Sequence, residues 1–196
     1  MIWAVILAAG ESRRMGTQKL LLPFGETTVV EAVVRTALAS RVGRVLAVLG
    51  ADGDAVRKKL EPSGVDFAVN ENFAMGMLSS VQAGFKALPA EAEAAVVMLG
   101  DQPFLPARVV DALVEAYGES RKGMVIPAFH GRRGHPVLVD LKYRDEVLAL
   151  DPADGLRQLM RAHPEDIHEV EVEDANILRD LDVPEDYAAT KEGVKP

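Results

Sequence analysis

Lys19, Arg14 and Asp101 are the side chains of this sequence whose type and setting suit phosphate chemistry. An apolar run from Ile2 to Ala9 stops at Gly10, and Gly16, Ser12, Arg13, Arg14 and Lys19 follow before hydrophobicity resumes at Leu20. That pattern predicts a buried strand opening into a loop that grips an anion. Small residues let the backbone approach a ligand closely, and free N–H groups with nearby cations satisfy anionic oxygens. Ala8, Ala9 and Gly10 supply the smallness, and Arg14 and Lys19 supply the charge. Neither of the two commonest phosphate loops fits. A P-loop carries Lys directly after its second Gly, whereas Lys19 lies further on from Gly16, and the dinucleotide pattern G-x-G-x-x-G is absent.

A second apolar run, Ala94 to Leu99, ends in Gly100-Asp101-Gln102-Pro103. In open α/β sheets ligands sit beyond the carboxyl ends of strands, and an acid held there can bind a divalent cation that bridges phosphates. Asp101 is therefore the candidate metal ligand. Asn70 to Gly84 is another polar, glycine-bearing loop before a helix; Ser79 is the predicted N-cap of a helix from Ser80 to Leu88, whose N–H groups would face an anion or a base edge. His130-Gly131-Arg132-Arg133-Gly134-His135-Pro136 is a basic turn. Neither His130 nor His135 has a partner at metal-ligand spacing, so no zinc site is read.

These residues need elements to hold them. Thr28-x-x-Glu31 is a capping-box pattern ahead of helically spaced Val30, Val33, Val34, Ala37 and Leu38, which predicts a helix from about Thr28 to Ser40. Val42 to Leu49 reads as a strand, and Asp52 or Asp54 could cap a helix running to Leu60. Strands are expected at Phe67 to Val69, Met124 to Phe129, Val137 to Asp140 and Ile167 to Val172. Helices are expected from Pro106, over Lys142 to Ala149, over Leu156 to Ala162, and from Pro184. The alternation of strand and helix implies a parallel sheet with right-handed crossovers.

A chain of 196 residues with 48% apolar and 27% charged residues fits one globular α/β domain with a full core. The net charge of -8 and pI near 5.1 argue against a general nucleic-acid or membrane-surface binder, so an anionic substrate must meet a local basic site. Without cysteine, disulfides and thiolate metal sites are excluded. No apolar run approaches the roughly 20 residues that span a bilayer, and no secretory pattern precedes the first strand; a cytoplasmic location is expected.

The string Leu7-Ala8-Ala9-Gly10-x-Ser12-x-Arg14-Met15-Gly16-x-x-Lys19 resembles the signature of the molybdenum cofactor guanylyl- and cytidylyltransferases. Gly76-Met77-x-Ser79-Ser80, Gly100-Asp101-Gln102-Pro103 and Gly131-Arg132-Arg133-Gly134-His135-Pro136 resemble further segments of that family, in the same order. The resemblance implies a Rossmann-like three-layer α/β/α nucleotidyltransferase fold in a single domain over residues 1–196, with a mostly parallel central sheet and a small antiparallel part. It implies nucleotide contacts at Leu7, Ala8, Ala9, Gly10, Arg14, Lys19, Asn70, Gly76, Ser79, Ser80 and Asp101, with Asn70 near the base or ribose. It places Arg132, Arg133 and His135 by the acceptor. The tail Asp180-Leu181-Asp182-Val183-Pro184-Glu185-Asp186-Tyr187 also matches, and Asp180 or Asp182 is a second metal ligand or a helix cap, with Asp182 the assigned ligand. Val183 stands where Thr is usual and Ala153 where Gly is usual.

The cytidylyl branch matches best, since the guanylyl branch tends to carry Gly in place of Ala9; the choice of CTP over GTP rests on that resemblance alone. The implied reaction joins CMP from CTP to the phosphate of molybdopterin carrying molybdenum, with Mg²⁺ or Mn²⁺ as cofactor and pyrophosphate as the second product. Catalysis is then positioning plus charge stabilisation by Lys19, Arg14 and Asp101. Two other readings are a nucleotidyltransferase acting on a sugar or polyol phosphate, and a non-catalytic nucleotide-binding chaperone that delivers cofactor to an apo molybdenum hydroxylase. Retention of both Lys19 and Asp101 speaks against the chaperone.

Overall fold

The apolar runs become strands because their residues are buried on both faces, as a parallel sheet between two helical layers requires. The computed structural model describes residues 1–12, 15–181 and Tyr187. Strand β1, Ile2–Ala8, is followed by a 3-10 turn at Lys19–Leu21 and a small hairpin of β2, Pro23–Phe24, and β3, Thr27–Thr28. Helix α1, Val29–Leu38, starts at the expected capping box, in which the Glu31 carboxylate accepts from the Thr28 N–H at 2.8 Å and the Thr28 hydroxyl at 2.6 Å. Then come β4, Arg44–Leu49, α2, Gly53–Leu60, β5, Asp66–Val69, α3, Met77–Ala87, and β6, Ala94–Leu99. The remaining elements are α4, Ala107–Ser120, β7, Met124–Phe129, β8, Arg132–Arg133, β9, Val137–Asp140, α5, Arg144–Ala149, α6, Arg157–Ala162, and β10, Ile167–Glu171.

The main sheet runs β5-β4-β1-β6-β9-β7-β10, with β8 paired to β7. Strands β5, β4, β1 and β6 are mutually parallel, β10 is parallel to β7, and β9 is antiparallel to both of its neighbours. From β1 the chain builds outward through β4 and β5, then returns to lay β6 on the other side of β1. Strand order therefore reverses at β1 and β6, and a crevice opens beyond their carboxyl ends.

Alternate residues of each strand enter opposite layers. Ile6, Ala47, Val96 and Met98 pack with α1, α2 and α4, whereas Val5, Val48 and Val97 pack with α3, α5 and α6. Helix α3 lies so close to the sheet that a Cβ at Gly84 would stand 2.6 Å from Val5 Cγ1 and 3.1 Å from Val48 Cγ2. Gln82 ties α3 to α5, its Nε2 donating to the carbonyls of Val147 at 3.0 Å and Leu150 at 2.9 Å.

Local details differ from expectation in three places. Helix α3 begins at Met77 with Gly76 as its cap, so Ser79 lies inside the first turn and does not cap it. Asp52 occupies the cap position of α2 in a left-handed conformation, φ 54°, but its carboxylate makes no cap bond. The hairpin of β2 and β3 leaves no pattern in the sequence, because its strands are only two residues each. Among the described residues no helix is long and apolar enough to cross a membrane.

Candidate active site

Gly100 is held against β1: a Cβ there would meet the Leu7 carbonyl oxygen at 2.7 Å, and its own N–H donates to that oxygen at 3.1 Å. This close approach, available to glycine alone, brings Asp101 beside the loop that leaves β1. Lys19 reaches across from that loop, and its Nζ lies 2.5 Å from Asp101 Oδ2, the two side chains being only 15% and 19% exposed. Burial pushes the Asp101 carboxyl above its usual range, an effect opposed by Lys19 and reinforced by Asp180. The pair lines a cleft of about 500 Å³ together with Leu7, Ala9, Gly10, Gly76, Ser80 and Asp180.

The loop is braced from within. Ser12, itself at φ 51°, donates its hydroxyl to Gln18 Oε1 at 2.8 Å and accepts from the Lys19 N–H at 3.0 Å. Gln18 Nε2 in turn lies 3.2 Å from the Gly10 carbonyl and 3.2 Å from Asp52 Oδ2. Ala8 is fully buried beneath the cleft rather than lining it.

On the far wall, Asn70 Nδ2 lies 2.8 Å from Ser79 Oγ and 3.0 Å from Ser80 Oγ, and all three residues are buried. Ser79 also donates to the Gly76 carbonyl at 2.7 Å. Ser80 reaches the cleft; Asn70 and Ser79 stand behind it and fix the turn through Gly76, whose φ of 108° favours glycine.

The third wall comes from late in the chain. Ile177 accepts from the His135 N–H at 2.9 Å, and Leu181 N–H donates to the Asp101 carbonyl at 3.1 Å. Between them, Asp180 accepts from Gln102 Nε2 at 2.7 Å, which aims its carboxylate into the cleft. Asp174 anchors the same segment by pairing with Arg108 at the start of α4. Burial lowers the proton affinity of the His135 imidazole, and the negative charges of Asp180 and Asp101 oppose the shift. Arg132 and Arg133 are exposed on β8 and do not line the cleft, and Arg133 is held by Glu169 of β10 at 2.6 Å. Arg14 and Asp182 lie outside the described residues. Gln18 and Gln102 carry no charge, and although Gln102 sits inside the Gly100-Asp101-Gln102-Pro103 segment, only the folded chain reveals what the two side chains hold.

Asp101 and Asp180 offer hard carboxylate oxygens of the kind Mg²⁺ or Mn²⁺ selects, and their nearness to Lys19 suits a phosphate that the cation would bridge. Among the described residues no group of three or more acidic or histidine side chains could close around an ion, so further ligands would come from substrate or water.

Residues 4–167 match the model of the MobA-like NTP transferase domain. The molybdenum cofactor cytidylyltransferase of Escherichia coli is 30% identical over 96% of this chain and 94% of its own, and the nicotine blue oxidoreductase of Paenarthrobacter nicotinovorans is 32% identical over 94% and 93%. Among solved structures, the homologue of Rv0371c from Mycobacterium sp. strain JC1 superposes with a TM-score of 0.87 at 30% identity, covering 98% of this chain and 96% of that one. Rv0371c of Mycobacterium tuberculosis H37Rv, in its complex with manganese, gives 0.81 at 25% identity over 98% and 99%.

Proposed function

The chain belongs to the MobA-like NTP transferase family and is a nucleotidyltransferase, and from that premise we propose that it joins CMP from CTP to the phosphate of a molybdopterin carrying molybdenum. The observation that carries the reading is the contact of Lys19 with Asp101, which puts a cation and a cation-binding carboxylate at the mouth of the β1–β6 crevice. Likeness to the E. coli cytidylyltransferase along nearly the whole chain supports the choice of base and acceptor.

An oxygen of the acceptor phosphate attacks the α-phosphorus of CTP, the bond from that phosphorus to the bridging oxygen breaks, and pyrophosphate leaves with the electron pair. The nucleophile is already ionised, so no general base is required. Lys19 turns from Asp101 to the triphosphate and neutralises it, helped by Arg14, while N–H groups along Ala9 to Gly16 cradle its oxygens. Ser80 and the turn at Gly76 hold the nucleoside, with Asn70 and Ser79 fixing their geometry. His135, with Arg132 and Arg133 further out, orients the acceptor. Asp101 and Asp180 would hold Mg²⁺ or Mn²⁺, with Asp182 as a further ligand; when bound, the ion neutralises charge on the phosphates. The reaction is placed in the cytoplasm, with an apo molybdenum hydroxylase as consumer of the product.

Incubation with each NTP in turn, Mg²⁺ and molybdenum-loaded molybdopterin tests this. Pyrophosphate release and dinucleotide formation with CTP alone are expected. If only a sugar or polyol phosphate supports pyrophosphate release, the acceptor is wrong; if GTP is used instead, the base is wrong.

A further inference from the structure

Gln18 sits immediately before Lys19, yet it does not line the cleft. Its carboxamide is the most heavily used on the loop. Oε1 accepts from the Ser12 hydroxyl at 2.8 Å and from the Leu20 N–H at 3.4 Å. Nε2 shares its protons among the carbonyls of Gly10 at 3.2 Å and Ala51 at 3.4 Å and Asp52 Oδ2 at 3.2 Å. These partners come from both ends of the loop and from the β4–α2 corner, a separate part of the chain.

That corner is itself built to receive the loop. The Ala51 N–H donates to the Ala9 carbonyl at 3.2 Å, and a Cβ at Gly50 would stand 2.7 Å from Ala9. Asp52 takes up φ 54°, unusual for a residue with a side chain, and leaves its carboxylate out of the helix cap it could have made. The carboxylate meets Gln18 instead.

We propose that Gln18, locked by Asp52, is a positioning residue that holds Gly10, Ser12 and the Lys19 backbone in the arrangement that binds a triphosphate, acting through Ser12 on the Lys19 N–H. The proposal rests on the transferase reading for its ligand, and inorganic tripolyphosphate is the probe because it presents the phosphate chain without a base or acceptor. Gln18 touches no lining side chain of the far wall, so the effect falls on the phosphate chain and not on base choice.

Tripolyphosphate and Mg²⁺ would be titrated calorimetrically into the whole protein and into Q18A, Q18E and Q18E/D52N, with amide hydrogen exchange read on the ligand-free proteins. Q18A is expected to bind about tenfold more weakly, as the loss of a shared set of hydrogen bonds implies. Q18E, which sets an acceptor against the Asp52 carboxylate and the Gly10 and Ala51 carbonyls, should bind more weakly still. In Q18E/D52N the amide introduced at position 52 can donate to the carboxylate, and part of the affinity should return. Exchange of the Lys19 and Leu20 amides should quicken in Q18A while that of β1 does not. Wild-type affinity in both Q18A and Q18E, or no recovery in the double variant, would overturn the proposal. If wild-type protein binds neither tripolyphosphate nor any NTP, the transferase reading falls instead, and unchanged exchange at Lys19 in Q18A then overturns the positioning role by itself.

Discussion

Lys19 and Asp101 stand 82 positions apart in the chain and 2.5 Å apart in the fold. The contact sets beside the cleft the two opposite charges that the proposed reaction would use. Under that proposal a substrate triphosphate would compete for Lys19 and a cation for Asp101, so each side of the pair would be exchanged for a ligand of the same sign.

Lys19→Ala should lower turnover by more than about tenfold, since a charge that neutralises the triphosphate is lost. It also strands a mostly buried carboxylate, and a stability loss of about 1–3 kcal/mol is expected, less than for a fully buried pair. Pyrophosphate release and thermal melting measure the two effects separately; an unaltered rate removes Lys19 from the mechanism.

Asp101→Asn keeps the shape of the side chain while weakening any cation site. Pyrophosphate release dependent on Mg²⁺ should fall to background, and binding of Mn²⁺ followed by paramagnetic resonance should weaken at least about tenfold. Full activity in this variant would move the cation elsewhere.

Gly134→Ala should separate the two substrate halves. The added methyl would collide with the Ile177 carbonyl, which holds the His135 N–H at 2.9 Å. CTP affinity is expected to fall less than turnover with the acceptor, which should drop by about tenfold or more, because the shift falls first on the His135 side of the cleft. Equal losses in both readouts would show that the turn serves the whole cleft.

Gly84→Ala tests the seat of α3. Alanine favours a helix over glycine by about 1 kcal/mol, but the collision with Val5 should outweigh this and cost about 1–3 kcal/mol net. A fall in melting temperature by several degrees is the expected result, and a rise would mean that α3 can shift outward freely.

Asp166 reports on stability against pH, remote from the cleft. Burial pushes its carboxyl upward, but hydrogen bonds from Lys142, Tyr143 and the Gly123 backbone prevail and hold it at about 2, below the ordinary 3.8. The unfolded chain therefore takes up this proton first. The stabilisation is complete above the unfolded value and drains away as pH falls from about 5 to about 2, amounting to about 1–2 kcal/mol after allowance for partial exposure. Urea midpoints for wild type and Asp166→Asn should converge toward acid; parallel curves would contradict the assignment.

What the sequence made legible were features with a short-range cause. Apolar runs ending in Gly10 and Gly100 placed the strands and their mouths, and Thr28 with Glu31 marked the start of α1, since a capping box involves residues three apart. Features set by distant partners were not legible. Ser79 has the composition of a cap, but Asn70 offers it a better partner and Gly76 can take a backbone shape that serine cannot, so the helix starts earlier. The basic turn ahead of Val137 announces a returning strand, and β9 is antiparallel to β7, but nothing near it shows that β9 enters between β6 and β7. Gln102 looks neutral until Asp180 arrives beside it, and Arg133 looks free until Glu169 does.

The segment from Asp174 to Leu181 touches Arg108, Gln102, Asp101 and His135, and so clasps parts of the chain made long before it. During synthesis both mouth-forming loops emerge from the ribosome ahead of their clasp. A growing chain can complete its sheet through β10 and still lack Asp180 and the Ile177 carbonyl, so the finished cleft waits for residues beyond the last strand of the sheet. Chains cut after β10 would lack this clasp together with the buried Ile177 and Leu181 that it brings to the core.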